Sequence, residues 1–254
     1  MKRVFDVVVA LAALIVAAPI LLLAAIGIRL SSPGPILFRA RRMGRDRRNS
    51  STGKTAPGHE RRRSGYGGRE FTLYKLRTMR PDTAAAQNPI TSDRDPRVFP
   101  FGAWLRATKI DELPQVIHVI KGDMTIVGPR PEDPDVVRTY YSEADHETLR
   151  VRPGLTSPGS LYYYTHLESK LEPGDNVLRT YVDQVLPVKM SVDREYLRRA
   201  TFWEDILVVC RTIQVIVGRT IAGRRPTRLS GSRSAPPCRS HGMRETTSKT
   251  TKAW

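Results

Sequence analysis

Two acids stand side by side in "KIDELPQVIHVIKGDMTIVGPRP", residues 109–131: Asp111 and Glu112, ahead of a glycine turn and of Arg130 held between Pro129 and Pro131. Adjacent residues on a helix point about 100° apart, so these carboxylates cannot close on one reactive atom as a glycosidase pair would. They must divide the work. An ionised carboxylate at a helix start can attack phosphorus to form an acyl phosphate, or hold Mg²⁺ against substrate phosphates, while its neighbour completes the metal shell or orients the nucleophile. Either task needs cations against phosphate oxygens. Arginine supplies a planar fork of donors, and Arg106, five residues before Asp111, and Arg130 are the candidates. The same residues also admit plainer readings, an Asp-Glu helix cap and a surface ion pair.

The elements that would position these groups are short. Leu113, Val116, Ile117 and Ile120 recur at helical spacing, and Gly122 supplies a stop. Because Pro114 is tolerated only in a first turn, the helix begins at or just before Asp111, where backbone N–H groups favour an ionised carboxylate and nearby anions. "MTIVGPRP" reads as a short strand into a rigid turn, and "RVRPGLTSPG" (150–159) as a loop of the same kind. "FTLYKLRTM" (71–79) alternates, which puts Phe71, Leu73, Lys75, Arg77 and Met79 on one face of a strand. Two cations among apolar neighbours point to an anionic ligand, against the plainer reading of a charged strand edge. Residues 178–218 predict two helices, the second striped with Phe202, Trp203, Ile206, Val209, Ile213, Ile216 and Val217. Such a stripe is ordinarily core; Trp203 beside Arg198 and Arg199 opens an interfacial alternative.

Val7 to Ile28 is an uncharged apolar run of 22 residues, long enough to cross a bilayer. It exceeds the apolar region of a secretory signal and ends in no small-residue cleavage site. Positive charge flanks it on both sides, with Lys2 and Arg3 before it and Arg29, Arg39, Arg41 and Arg42 after it, so a spanning helix would have no clear outer end. Pro19 falls mid-run and removes a backbone hydrogen bond. A bent, re-entrant helix returning to the cytoplasmic face accommodates both features, although proline also occurs in ordinary spanning helices.

The net charge of +17 resembles that of a nucleic-acid binder, but its location argues otherwise. Residues 39–69 hold eleven Lys/Arg against two acids and residues 224–254 hold eight against one, which together account for sixteen of the seventeen. The basicity therefore belongs to an insertion and a tail, both read as disordered and the insertion as lying near anionic lipid, which argues against nucleic-acid binding as the main role. Cys210 and Cys238 give neither a disulfide framework nor a zinc spacing, and no histidine motif is present, so any metal would be oxygen-ligated.

"KRVFD", "SSPGPILF", "YKLRTM", "DPRVFPFGAWLRATKIDELPQ", "KGDMTIVGPRP" and "VRPGLT" occur in this order over most of residues 1–160. In these motifs the chain resembles the bacterial sugar transferases, the monotopic polyprenol-phosphate phosphoglycosyl transferases. The resemblance implies transfer of a sugar 1-phosphate from a nucleotide diphospho-sugar, usually a uridine one, to polyprenyl phosphate, with release of a nucleoside monophosphate, at the start of glycan assembly. It implies Asp111 as nucleophile and Mg²⁺ ligand, Glu112 as its partner, Arg106 and Arg130 against the phosphates, and Lys75 and Arg77 in a basic motif of the same site. It also implies a helix broken at Pro19. The expected fold is a small, mainly helical α/β catalytic domain with short strands and interfacial amphipathic helices, on the cytoplasmic face of a bacterial inner membrane among its lipids. The expected division is membrane helix and turn 1–38, catalytic domain 39–223 with a basic insertion 43–69, and tail 224–254. Three departures stand out: Ala18 in place of the usual serine before Pro19, the long insertion, and Ser157 where the family carries glycine, followed by Tyr162 to Tyr164, which bear on sugar choice. Two rival readings are a glycosyltransferase releasing a nucleoside diphosphate, which would want a Rossmann-type glycine turn that is absent here, and a membrane-tethered basic lipid- or nucleic-acid-binding protein. Nothing in the sequence selects an oligomeric state.

Overall fold

The apolar amino-terminal run folds into one helix, α1 (Lys2–Ser31), with Pro19 inside it. The computed structural model describes residues 2–46, 68–80, 95, 97–168, 171 and 177–222. Of α1, only Asp6, Ala10, Ala17, Ala24 and Ile28 are buried, a narrow stripe of mostly small residues, while Val8, Ile15, Val16, Leu22 and Leu23 stay open. Both ends of the helix are fastened to the rest of the chain. At the start, Asp6 accepts a 2.6 Å hydrogen bond from Thr125 Oγ1, Lys2 pairs with Asp205 at 2.7 Å, and Arg3 donates to the Val119 and Ile120 carbonyls. At the far end Ala24 and Ile28 pack with Leu76, Phe99 and Leu105.

After a turn that needs the positive φ of Gly34 (+117°), β1 (Leu37–Met43) pairs antiparallel with β2 (Glu70–Leu76). The described ends of the expected basic excursion belong to this hairpin: Met43 and Asp46 are buried, and Gly44 and Arg69 N–H groups continue the ladder. The rest of the insertion, 47–67, and the tail from 223 lie outside the described residues.

Next come α2 (Pro100–Ala107), a 3₁₀ turn (Ile110–Gln115), α3 (Val116–Lys121) and β3 (Thr125–Val127). Pro114 has no N–H to offer the Ile110 carbonyl, which favours 3₁₀ geometry before the α-helix proper. Gly122 ends α3 in a left-handed cap (φ 91°), as its position predicts. His118, buried in α3, accepts from the Tyr74 N–H at 3.3 Å, so its proton sits on the other nitrogen and α3 is tied to β2.

The second proline-glycine stretch is more ordered than a loop. Its "GLT" forms β4 (Gly154–Thr156), parallel to β3 after a crossover through α4 (Pro134–Tyr140), and Ser157 then caps α5 (Pro158–Tyr162). A Cβ on Gly154 would lie 2.2 Å from the Gly128 nitrogen, so only glycine allows these strands to approach. Past α5 a π-helical turn (Tyr163–Leu167) follows, then α6 (Val177–Thr180), a second π-turn (Tyr181–Val185), α7 (Leu186–Arg199) and α8 (Phe202–Ala222). The α8 stripe is divided: Phe202, Trp203 (73 % exposed), Ile213 and Val217 are open, whereas Val209 packs against the core beside the buried Val208. Phe5 of α1 meets Phe202 edge-on at 5.1 Å, which joins the exposed apolar faces of α1 and α8.

Candidate active site

Asp111 and Glu112 share the 3₁₀ turn yet meet opposite surroundings. Glu112 Oε1 accepts from Arg130 at 2.6 Å and from Lys75 at 3.3 Å. Burial pushes its carboxyl upward, but Arg130, Lys75 and Lys109 together overcome this and hold it well below the usual range. Asp111 is buried, and its Oδ1 has no hydrogen-bond partner among the described residues. Burial and the neighbouring Glu112 charge push its carboxyl up, with Lys75, Lys109 and Arg106 in partial opposition. Such a carboxylate is more basic than usual when ionised, which suits a nucleophile or a metal ligand.

Arg106 is half-buried near the end of α2 and acts electrostatically on both Asp111 and Asp95, whose carboxylate is bound by Arg97. Arg130 emerges between its prolines directly after β3 and points to Glu112. Lys75, near the end of β2, reaches the same acid. Four of the expected residues, Asp111, Glu112, Lys75 and Arg130, therefore assemble, and Arg106 borders them.

Arg77 does not join them. It lies beyond the end of β2, is 5 % exposed, and donates to the Pro35 carbonyl (2.6 Å), Ser32 Oγ (2.9 Å) and the Ser32 carbonyl (2.8 Å). The strand alternation stops at Leu76, which is itself buried, so Lys75 and Arg77 do not share a ligand-facing surface. Arg77 instead fastens the turn that follows α1.

Two residues that sequence reasoning passed over also belong to the site. Gln115 is buried one turn after Asp111 with its Nε2 unpartnered among the described residues. Lys109 lies two residues before Asp111 with φ 59°, and its ammonium sits 3.9 Å from the centroid of the Tyr164 ring. The contact of Lys109 with Tyr164 depends on a π-turn that leaves no periodic signature. Ser157 is fully buried as a helix cap, and of the tyrosine run it is Tyr164 that reaches Lys109.

A divalent cation fits this donor set in one manner. Glu112 is engaged by two cations, which leaves Asp111 as the available carboxylate, and among the described residues no cluster of three ligating side chains exists. Mg²⁺ commonly uses one or two carboxylates and takes its remaining oxygens from substrate phosphates and water.

The residues matching the family of bacterial sugar transferases run from 1 to 56 and from 53 to 219. The chain belongs to that family. A UDP-glucose:undecaprenyl-phosphate glucose-1-phosphate transferase of Caulobacter vibrioides is 36 % identical over 220 residues, covering 84 % of this chain and 68 % of that one. A UDP-N-acetylgalactosamine-undecaprenyl-phosphate N-acetylgalactosaminephosphotransferase of Aeromonas hydrophila is 29 % identical over 222 residues, 85 % of this chain and 43 % of its own length. The exopolysaccharide production protein ExoY of Sinorhizobium fredii is 30 % identical over 230 residues, 85 % and 84 % of the two chains. As a member of this family the chain is a transferase.

Proposed function

We propose that the protein transfers a sugar 1-phosphate from a uridine diphospho-sugar to undecaprenyl phosphate, at the start of exopolysaccharide or related glycan assembly. The observation that carries this reading is the inequality within the acid pair. Glu112 Oε1 is held by Arg130 and Lys75, and Asp111 is left buried and basic among cations with its Oδ1 unpartnered among the described residues. The names of the relatives support a uridine donor and an undecaprenyl-phosphate acceptor.

In this mechanism an Asp111 oxygen attacks the sugar-bearing phosphorus of the donor, a bond from carboxylate to phosphorus forms, and the diphosphate bridge breaks to release UMP. A phosphate oxygen of undecaprenyl phosphate then attacks the same phosphorus, expels the Asp111 carboxylate, and yields undecaprenyl-diphospho-sugar. Both attacking groups are already anionic, so neither step needs a general base. Arg106 and Arg130 face phosphate charge, and Glu112 holds Arg130 and Lys75 in position. Mg²⁺, when bound through Asp111, supplies charge neutralisation at the diphosphate.

We also infer that α1 enters the cytoplasmic leaflet without crossing it, with α8 beside it in the interface. A spanning helix carries one end about 30 Å from a domain on the other side, whereas both ends of α1 are fastened to one domain. Cysteine labelling at residues 2 and 45 should report the same side of the membrane; opposite sides would rule this out.

The function is tested by mixing membranes holding the protein, or its Asp111→Asn variant, with undecaprenyl phosphate, Mg²⁺ and a panel of uridine diphospho-sugars. UMP release that disappears in the variant is expected. Release of UDP would point to the rival glycosyltransferase reading.

A further inference from the structure

We propose that Lys109 is an additional phosphate-binding cation of this site, delivered to the acid pair by a strained left-handed turn and backed by the ring of Tyr164. The proposal rests on reading the site as one for a diphosphate-bearing donor.

Lys109 is the only non-glycine residue with positive φ among those described. It directly follows Thr108, the C-cap of α2, a position where glycine ordinarily adopts this conformation at no steric cost. The turn has a clear use. The Lys109 N–H donates to the Arg106 carbonyl at 3.2 Å and its own carbonyl accepts from the Glu112 N–H at 3.1 Å, so this residue reverses the chain between Arg106 and the acids. Glycine would perform that reversal better. A lysine in its place means that the side chain has a task worth the strain, and such outliers concentrate where ligands bind.

The surroundings of the ammonium indicate which task. Lys75 and Arg130 are bound to Glu112, and Arg77 is bound to Ser32 and Pro35. Lys109 makes no ion pair among the described residues; its partner is the π-face of Tyr164, which holds a cation without neutralising it. On that ring also leans Arg219 of α8, 5.6 Å from the centroid and ion-paired with Glu168, so the platform is fixed from a second element. With Asp111 and Glu112 against Lys75, Lys109, Arg106 and Arg130, the cluster carries an excess of two positive charges. An incoming diphosphate supplies the missing negative charge.

The test compares wild type, Lys109→Gly and Lys109→Arg in lipid nanodiscs through three readouts: thermal midpoint, equilibrium binding of UDP with Mg²⁺, and UMP formation from donor. Glycine should raise the midpoint by relieving the turn, weaken UDP binding and raise donor KM by about 10- to 100-fold, as for one lost charge-assisted contact. Arginine should recover most of the binding. A glycine variant that binds UDP as wild type does, or that melts lower, would overturn the proposal, the second result making Lys109 a structural support. Failure of the wild type to bind UDP would overturn it as well. If wild type and variants differ in UDP binding as expected but no UMP forms, the proposed function is wrong and the assignment of Lys109 stands.

Discussion

Around Lys189 the buried polar groups are hydrogen-bonded within the protein, whereas around Asp111 some are left without a partner among the described residues. In the first region the Lys189 ammonium and the Tyr181 hydroxyl both donate to Glu132, and Asp193 accepts from the Gly159 N–H at 2.8 Å and from Ser157 at 3.2 Å. In the second, one acid is doubly bonded while Asp111 Oδ1 and Gln115 Nε2 have no partner among the described residues, and Lys109 lacks a carboxylate. Both regions pay the desolvation penalty of burial. In the first the buried polar groups find hydrogen-bond partners within the protein, although Asp193 still carries a net cost of burial; in the second some find none. The difference separates polar groups that hold α5, α7 and the turn after β3 together from groups that wait for a substrate.

The most severe way to test this contrast is Asp111→Asn. Turnover should fall by at least about 10³-fold, yet the thermal midpoint should hold or rise, because burial and the Glu112 charge disfavour the ionised Asp111 carboxylate more than the nearby cations favour it. Purified protein assayed for UMP release and melted in the same buffer shows both. Glu112→Gln should behave differently, with activity reduced by about 10²-fold through misplaced Arg130 and Lys75, and stability reduced by about 2–3 kcal/mol because two half-buried cations lose their counter-charge. Denaturant titration measures that loss.

In the saturated region the opposite dissociation is expected. Lys189→Met should cost about 3 kcal/mol by leaving Glu132 without its cation, with turnover per folded molecule unchanged. A large kcat effect would erase the proposed distinction between the regions.

A further effect concerns pH. Burial pushes the Asp193 carboxyl up to about 6 despite its two hydrogen bonds. Below the unfolded value of about 3.9 both states hold the proton and stability is unaffected. Between that value and about 6 only the folded state holds it, so stability falls as pH rises through this window, by about 3 kcal/mol in all. Asp193→Asn can keep the Gly159 contact and donate to Ser157, and it should flatten this part of the stability-pH curve. Melts at pH 4, 5, 6 and 7 check it.

Much of the site was legible in the chain because its parts lie close in sequence. Asp111, Glu112 and Arg130 fall within a short stretch whose proline and glycine positions fix the turns, and the helix start near Asp111 and its stop at Gly122 follow from backbone chemistry. Arg77 was misread because strand alternation holds only while the strand lasts, and β2 ends at Leu76. The apolar stripe of α8 has the period of a core helix, and periodicity alone cannot tell which of its residues face the protein and which stay exposed. Parallel pairing of β3 with β4 depends on the close approach of Gly128 and Gly154, a long-range contact without a local signature.

The account stands on Asp111 as the group that takes up the phospho-sugar, and intact-protein mass measured after mixing with donor and Mg²⁺ in the absence of undecaprenyl phosphate tests it most directly. A gain of one phospho-sugar, mapped to the peptide holding Asp111 and discharged when undecaprenyl phosphate is added, is the expected result. An unmodified protein that nonetheless forms product on addition of acceptor would contradict the account, since transfer would then pass directly from donor to acceptor.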